Sequence, residues 1–276
     1  MEQTALFEGV VALPNPWPYP ATDSTPEDPD GHALAVVSSL RCPSDSYGRE
    51  PAVNPGNNRR IQSVTNIAVC YGDGANRLQF DDTGSGPFEG DISTRGMFYW
   101  SRGRNFSFIT DGLSNTLLIS ESIVAPMGAS NDIRGGIAVD TTIDLDGGTW
   151  LWRPQVCMAL PTEGKSFVGT APNQWRHSRY LDGMVLYSGF NTIMPPNSKS
   201  CVKNQSEATS GFYSANSNHT GGVNVARVDG SVSFISNTID TNGLPDSVQG
   251  GRLQGPSPYG VWGALGTPCS GETASL

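Results

Sequence analysis

The chain has 276 residues, 37% of them hydrophobic and only 16% charged, and its 17 basic and 26 acidic side chains leave a formal charge of −9. That length suffices for one large domain or two small ones with a substantial core. No Lys/Arg cluster exceeds Arg59-Arg60, which excludes the basic stripe of a nucleic-acid binder, and no apolar run approaches the roughly 20 residues that span a bilayer.

Abundant glycine (33) and proline (20) point to many short strands joined by turns. Aromatic residues occur along the whole chain, which excludes a disordered composition. An acidic, weakly charged surface suits a protein outside the cell or among divalent cations. Residues 2–13 predict a short helix with Glu2, Leu6 and Val10 on one face, stopped by Pro14. Residues 14–30 hold six prolines and read as polyproline or irregular loop. Gly31 to Leu40 has helical spacing in Leu34, Val37 and Leu40, and Cys42-Pro43 ends it, with Ser44-Asp45 as turn residues.

Ser63 to Tyr71 reads as a strand, followed by a Gly-rich acidic loop with a short strand at Arg77–Phe80 and another at Gly96–Tyr99. Asp111-Gly112 is a turn whose backbone Ser114 and Asn115 can satisfy. Leu117 to Ile119 is a continuous apolar run suited to a strand covered on both sides. The clearest signal is 217–240, SNHTGGVNVARVDGSVSFISNTID, a β-hairpin. Asp229-Gly230 as a two-residue type I′ loop pairs Val225 with Phe234 and Arg227 with Val232. That register places Val223, Val225, Val232 and Phe234 on one buried face. No internal repeat is present.

Several phrases in this order carry a family resemblance. They are LRCPSD (40–45), ITDGLSNTLLISES (109–122), FNTIMPPNSKSC (190–201), His219 followed after nine residues by Asp229-Gly230, and YGVWGALGTPCSGE (259–272). Together they resemble a large family of bacterial surface proteins of unknown function that carries an H-x9-D-G motif. Its full-length members begin with a prepilin-type signal and one long apolar helix, as type IV pilins and type II secretion pseudopilins do. The opening MEQTALF is similar to the segment that follows that helix, so the resemblance implies that Met1 is not a natural start. It implies an α+β, mainly antiparallel, pilin-like globular domain with large loop-rich insertions and without the N-terminal pilin helix. Residues 1–276 would be one extracytoplasmic domain: a helical and Pro-rich lead-in (1–42), a β-rich part (43–122), an insertion (123–200) and the C-terminal hairpin region (201–276). The implied role is non-enzymatic: a structural subunit or decoration of an extracellular filament or secretion apparatus. Partners would be copies of itself or other pilin-like subunits, and the membrane would be reached only through the absent helix. The family-motif residues are Asp111, Gly112, Ser114, Asn115, Glu121, His219, Asp229 and Gly230.

Chemistry beyond this is sparse. The three histidines (His32, His177, His219) have no G-x-S-x-G nucleophile motif beside them, and His219 reads as holding the loop into the hairpin by a hydrogen bond, or as stacking in the core. A secreted hydrolase would need carboxylates such as Asp111, Glu121 and Asp229 to converge, although turn and capping roles account for each. Hard cations, calcium above all, want several oxygens in a Gly-rich loop. Asp73, Asp81, Asp82, Glu89 and Asp91 crowd one such loop, and Asp144 and Asp146 another. Neither has EF-hand spacing; major pseudopilins hold calcium in a β-region loop, and a solvated acidic loop is the plainer reading. Trp17, Trp100, Trp150, Trp152, Trp175 and Trp262 would form a platform for a surface glycan if exposed and coplanar, and core anchors otherwise. Cys42, Cys70, Cys157, Cys201 and Cys269 have no C-x-x-C pair. An exported chain is expected to form one or two disulfides from them, with the pairing open.

Overall fold

A computed structural model describes residues 4–12, 32–47, 63–75, 94–99, 102–125, 131–145, 151–170, 172–173, 175–206, 209–248 and 255–272. Five strands form the central sheet: β1 (Ile67–Cys70), β2 (Leu117–Glu121), β3 (Gly189–Phe190), β4 (Gly222–Arg227) and β5 (Val232–Ser236). Their order is β3-β1-β2-β4-β5. Only β1 and β3 run parallel; the other pairs are antiparallel. The α+β class with mainly antiparallel strands is the observed one.

Period-2 alternation gives this sheet its inner face. Ala68, Cys70, Val223, Val225 and Ile235 point to one side and pack with Leu117, Phe190, Trp262 and Leu265. The Trp262 ring stacks at 6.1 Å from Phe190, and its indole N–H donates to the Met194 carbonyl at 2.9 Å. Trp262 sits on α3 (Gly260–Gly266), so the C-terminal phrase lids this core.

The hairpin forms, but one residue out of the expected register. Val225 faces Ser233, Asn224 faces Phe234 and Ala226 faces Val232. The cause is the turn. Arg227 accepts from the Gly230 amide at 3.0 Å and donates its own amide to Ser231 at 2.9 Å. Only Gly230 has positive φ (83°), so the loop is three residues long with a glycine bulge, not a two-residue type I′ turn. A one-residue shift sends alternate side chains to the other face. Ile235 therefore takes the core position, while Val232 and Phe234 are 69% and 50% exposed.

A second sheet orders Pro172–Asn173, Ile137–Val139, Cys201–Val202 and Gly211–Phe212. Its core gathers Trp152, Phe167, Ile193, Met194 and Phe212. A disulfide joins Cys157, on α2 (Pro154–Ala159), to Cys201. The segment 123–200 thus supplies much of a second core, which Ala75, Cys201, Phe212, Leu244 and Tyr259 complete, and also lends β3 to the central sheet.

The helix expected over 2–13 is α1 (Thr4–Val11), none of whose residues is buried. Gly31–Leu40 departs from expectation: it contains two single 3-10 turns, His32–Leu34 and Ser38–Leu40. Val37 between them is extended (φ −94°, ψ 101°) and buried, and the β-branched pair Val36-Val37 disfavours a continuous helix. The Pro-rich stretch 14–30 and the strand expected at 77–80 lie outside the described residues. Among the described residues no helix is long and apolar enough to cross a membrane.

Candidate functional site

The motif residues meet through hydrogen bonds that no local spacing reveals. Glu121 ends β2, and β4 lies beside it, so its carboxylate reaches the start of that strand. One oxygen accepts the Asn224 amide at 2.9 Å. The other accepts the Asn224 side chain at 2.8 Å and the His219 ring Nε2 at 3.1 Å. His219 is about half exposed, so it holds the loop into the hairpin by hydrogen bonding and does not stack in the core.

Asp111 closes the other end of the sheet. Its carboxylate accepts the backbone amides of Ser270 at 2.7 Å and Gly271 at 3.1 Å, while its own amide donates to Pro268 at 3.2 Å. Gly112 has φ 101°, a conformation that strains any other residue. Asn115 then donates to the Asp111 carbonyl at 2.9 Å and Thr116 to the Gly112 carbonyl at 3.0 Å, while Ser114 lies exposed in the 3-10 turn. Asp229 caps the hairpin turn through the Ser231 amide and hydroxyl at 2.9 and 2.6 Å; those bonds hold its carboxyl below the usual range. Asp111, Glu121 and Asp229 are therefore bonded at three separate places, with β2 between the first two, and do not converge as a hydrolase pair would.

Beneath Glu121 lies a buried polar network. The buried Asp45 carboxylate, from LRCPSD, accepts Asn66 Nδ2 at 2.6 Å and the amides of Val124 at 2.9 Å and Tyr47 at 3.0 Å. Asn66 also donates to the Ser122 carbonyl at 2.9 Å and accepts the Cys42 amide at 2.8 Å. Ser122 Oγ lies 2.5 Å from His177 Nε2 and 3.1 Å from Asn216 Oδ1, and its one proton serves the imidazole. Arg176 Nε–H donates to the same His177 nitrogen at 3.1 Å, so that nitrogen is an acceptor and the ring proton sits on Nδ1. Burial first, and then the neighbouring guanidinium, hold the His177 imidazole well below its ordinary value. A neutral, sealed imidazole serves as a structural acceptor. Sequence reasoning missed Asp45 as a buried hub, together with Arg176, His177 and Asn216. The Asp45 phrase was visible as a motif; the partners lie too far apart in sequence for spacing to show.

These phrases line a cleft of about 250 Å³ formed by Cys42, Asp45, Asn66, Glu121, Ser122 and His219 among others. It adjoins a wider one of about 370 Å³ bordered by Tyr47, Asp132, Arg134 and Lys165. Of the predicted cation ligands, Asp73 is fully buried and forms a two-pronged ion pair with Arg95 at 2.8 and 2.9 Å. Burial pushes its carboxyl up, against the opposing pull of Arg95 and Ser257. Asp144 opens the strand Asp144–Leu145; Asp81, Asp82, Glu89, Asp91 and Asp146 lie outside the described residues. No group of three or more His, Cys, Asp or Glu side chains is placed to hold a metal among the described residues. Trp152 and Trp262 are fully buried core anchors, Trp175 is half-buried beside the Arg179 guanidinium, and Trp17, Trp100 and Trp150 lie outside the described residues. Trp152 and Trp262 are thus removed from any glycan platform.

Replacing Glu121 by Ala strands the Asn224 amide, its side chain and His219 together, and is expected to cost about 2 kcal/mol in urea unfolding. His219→Ala removes only the exposed arm of that arrangement and costs about 0.5 kcal/mol. Equal losses for the two variants would show that the carboxylate is not the anchor.

A family model described as SBP_bac_10, protein of unknown function (DUF1559), matches residues 1–242. No curated protein and no solved structure matches the chain.

Proposed function

The chain belongs to the DUF1559 family of proteins of unknown function, and on that footing we propose that it is a non-enzymatic structural subunit or decoration of an extracellular pilin-like filament or secretion apparatus. The β-rich domain is displayed outside the cell, and an apolar helix preceding it drives assembly. The observation that carries this reading is the outer face of the central sheet. Cross-strand pairing aligns Val69, Ile119, Ala226 and Val232 in one row across four strands. The first three are half-buried and Val232 is exposed, so an apolar stripe runs across this face, covered at its Val69 end by the cluster of Tyr71, Val185 and Tyr187 and open toward Val232. Such a stripe is the surface an apolar helix covers in a two-layer α/β arrangement. The Cys157–Cys201 disulfide supports an oxidising, extracytoplasmic location. The motif carboxylates are spent on backbone amides and side chains of the fold itself, which supports a structural role for them.

Mass spectrometry of the protein recovered from the cell-surface fraction tests this. The expected result is a processed, methylated N-terminal residue followed by an apolar helix ahead of the MEQTALF segment. A mature protein beginning at or near Met1 would remove the assembly element and overturn the reading.

A further inference from the structure

The central sheet has one open edge among the described strands, and it is chemically unguarded. At the opposite side, β3 is two fully buried residues. Strand β5, Val232–Ser236, pairs only with β4. Its register, with the Arg227-to-Ser231 and Asn237-to-Gly221 amide bonds at its two ends, fixes which groups are used. In an antiparallel ladder alternate residues bond inward. Ser231, Ser233, Ile235 and Asn237 therefore point to β4, while the backbone groups of Val232, Phe234 and Ser236 point away from the sheet, the Ser236 carbonyl accepting the Ile239 amide at 3.1 Å. Natural edges are blunted by lysine, proline, a bulge or an inward charge. Here residues 231–239, SVSFISNTI, contain none of the charged or proline devices, and the five β5 residues pair with β4 without a register shift. The exposed large apolar side chains of Val232 and Phe234 sit on the residues whose backbone is free.

We propose that this edge pairs with the same edge of a second copy of the chain, antiparallel and about a two-fold axis at Phe234. The strand is self-complementary in that arrangement. Phe234 exchanges both backbone hydrogen bonds with Phe234 of the second copy, and Val232 faces Ser236 of the second copy at either end. No like charges meet along the paired residues, and Asp229 and Asp240 fall beyond them. Because the other edge of the sheet is closed, the contact is isologous and stops at two copies, giving one continuous ten-stranded sheet. A peptide ligand would use the same backbone groups but would take its specificity from side-chain pockets, and the serines between the apolar positions offer none. The interface runs along the edge and leaves the Val69–Val232 stripe on the sheet face, so it stands or falls separately from the native N-terminus.

The contact is small beside the roughly 1,200 Å² of stable complexes, so it forms at high concentration or where copies are held close together. Light scattering on the purified chain is expected to give a monomer at low micromolar concentration and a dimer by about 0.5 mM. Amide exchange over the same range is expected to slow at Val232, Phe234 and Ser236, while Ser233 and Ile235 are slow throughout. Phe234→Pro removes an N–H that β4 does not use and is expected to keep the fold and abolish the dimer; Val232→Lys, a charged edge, is expected to do the same should the proline variant fail to fold. A wild-type chain that stays monomeric at about 0.5 mM, a dimer that survives Val232→Lys, or a dimer whose three outward amides exchange no more slowly would each overturn the proposal.

Discussion

Double replacement of Cys157 and Cys201 by alanine is expected to lower the unfolding free energy by about 4 kcal/mol. The bridge closes a separation of 44 residues. Loop-closure entropy for a loop of that length gives about 4 kcal/mol at 25 °C. Both cysteines are fully buried among Trp152, Ile193, Met194 and Phe212, so alanine is the right replacement; serine would add an unpaired hydroxyl to the same site. Burial also shields the bridge, so dithiothreitol is expected to act on the unfolded chain and hardly at all on the native one. Urea denaturation of the double variant against the oxidised protein measures the loss. A loss below about 1 kcal/mol would mean that the bridge does not hold the second core together, and the argument for an oxidising compartment would lose its structural basis.

What was legible beforehand divides along a physical line. Period-2 alternation located β4 and β5, because burial of one face writes itself directly into neighbouring residues, and a continuous apolar run located β2. Register was not legible to one residue. Asp229-Gly230 is compatible with a two-residue turn, and the longer loop is decided by the Ser231 carbonyl accepting the Arg227 amide. Nothing in the dipeptide encodes that choice, yet it moved Ile235 inward and Phe234 outward. The motif residues were visible as phrases, but their roles were not. Glu121 and His219 are 98 positions apart, and only the adjacency of β2 and β4 joins them. Disulfide pairing was equally closed to arithmetic, since five cysteines offer many partners and the fold alone chooses Cys157 with Cys201. Asp45 read as a turn residue because its flanking proline and serine look like one; its burial depends on Asn66, just before β1, and Val124, just after β2, arriving from far along the chain.

Arg176 was the least legible residue, and its replacement is the other large effect expected. The guanidinium is fully buried. It donates to Ser200 Oγ at 2.6 Å, to His177 Nε2 at 3.1 Å and to the Ser214 carbonyl. No carboxylate pairs with it among the described residues, and burial pushes its pKa down to about 9. Arg176→Ala leaves a cavity and takes one donor away from each of three buried acceptors, and a cost of about 3–5 kcal/mol is expected. Arg176→Met keeps most of the volume and removes the charge, so its cost should be about 2 kcal/mol. A methionine variant as stable as the original would mean that those three hydrogen bonds fail to offset desolvation of the cation.

His177 supplies an independent readout of the same contact. Its folded-state value is depressed, by burial and by Arg176, below an unfolded value near 6.5. As pH falls the unfolded chain takes up the proton first. Stability is therefore expected to be level above about pH 6.5 and to decline below it by up to about 1.4 kcal/mol per pH unit, until the folded imidazole is protonated too. In Arg176→Met the repulsion is gone while the burial stays, so the folded value rises toward the unfolded one and the decline starts from a lower baseline but ends sooner. His177→Asn, which tolerates the positive φ of 58° at this position, should remove most of the slope between about pH 6.5 and 5. An unchanged slope in both variants would place the acid sensitivity elsewhere, and Arg176 would then be a spectator to the imidazole it touches.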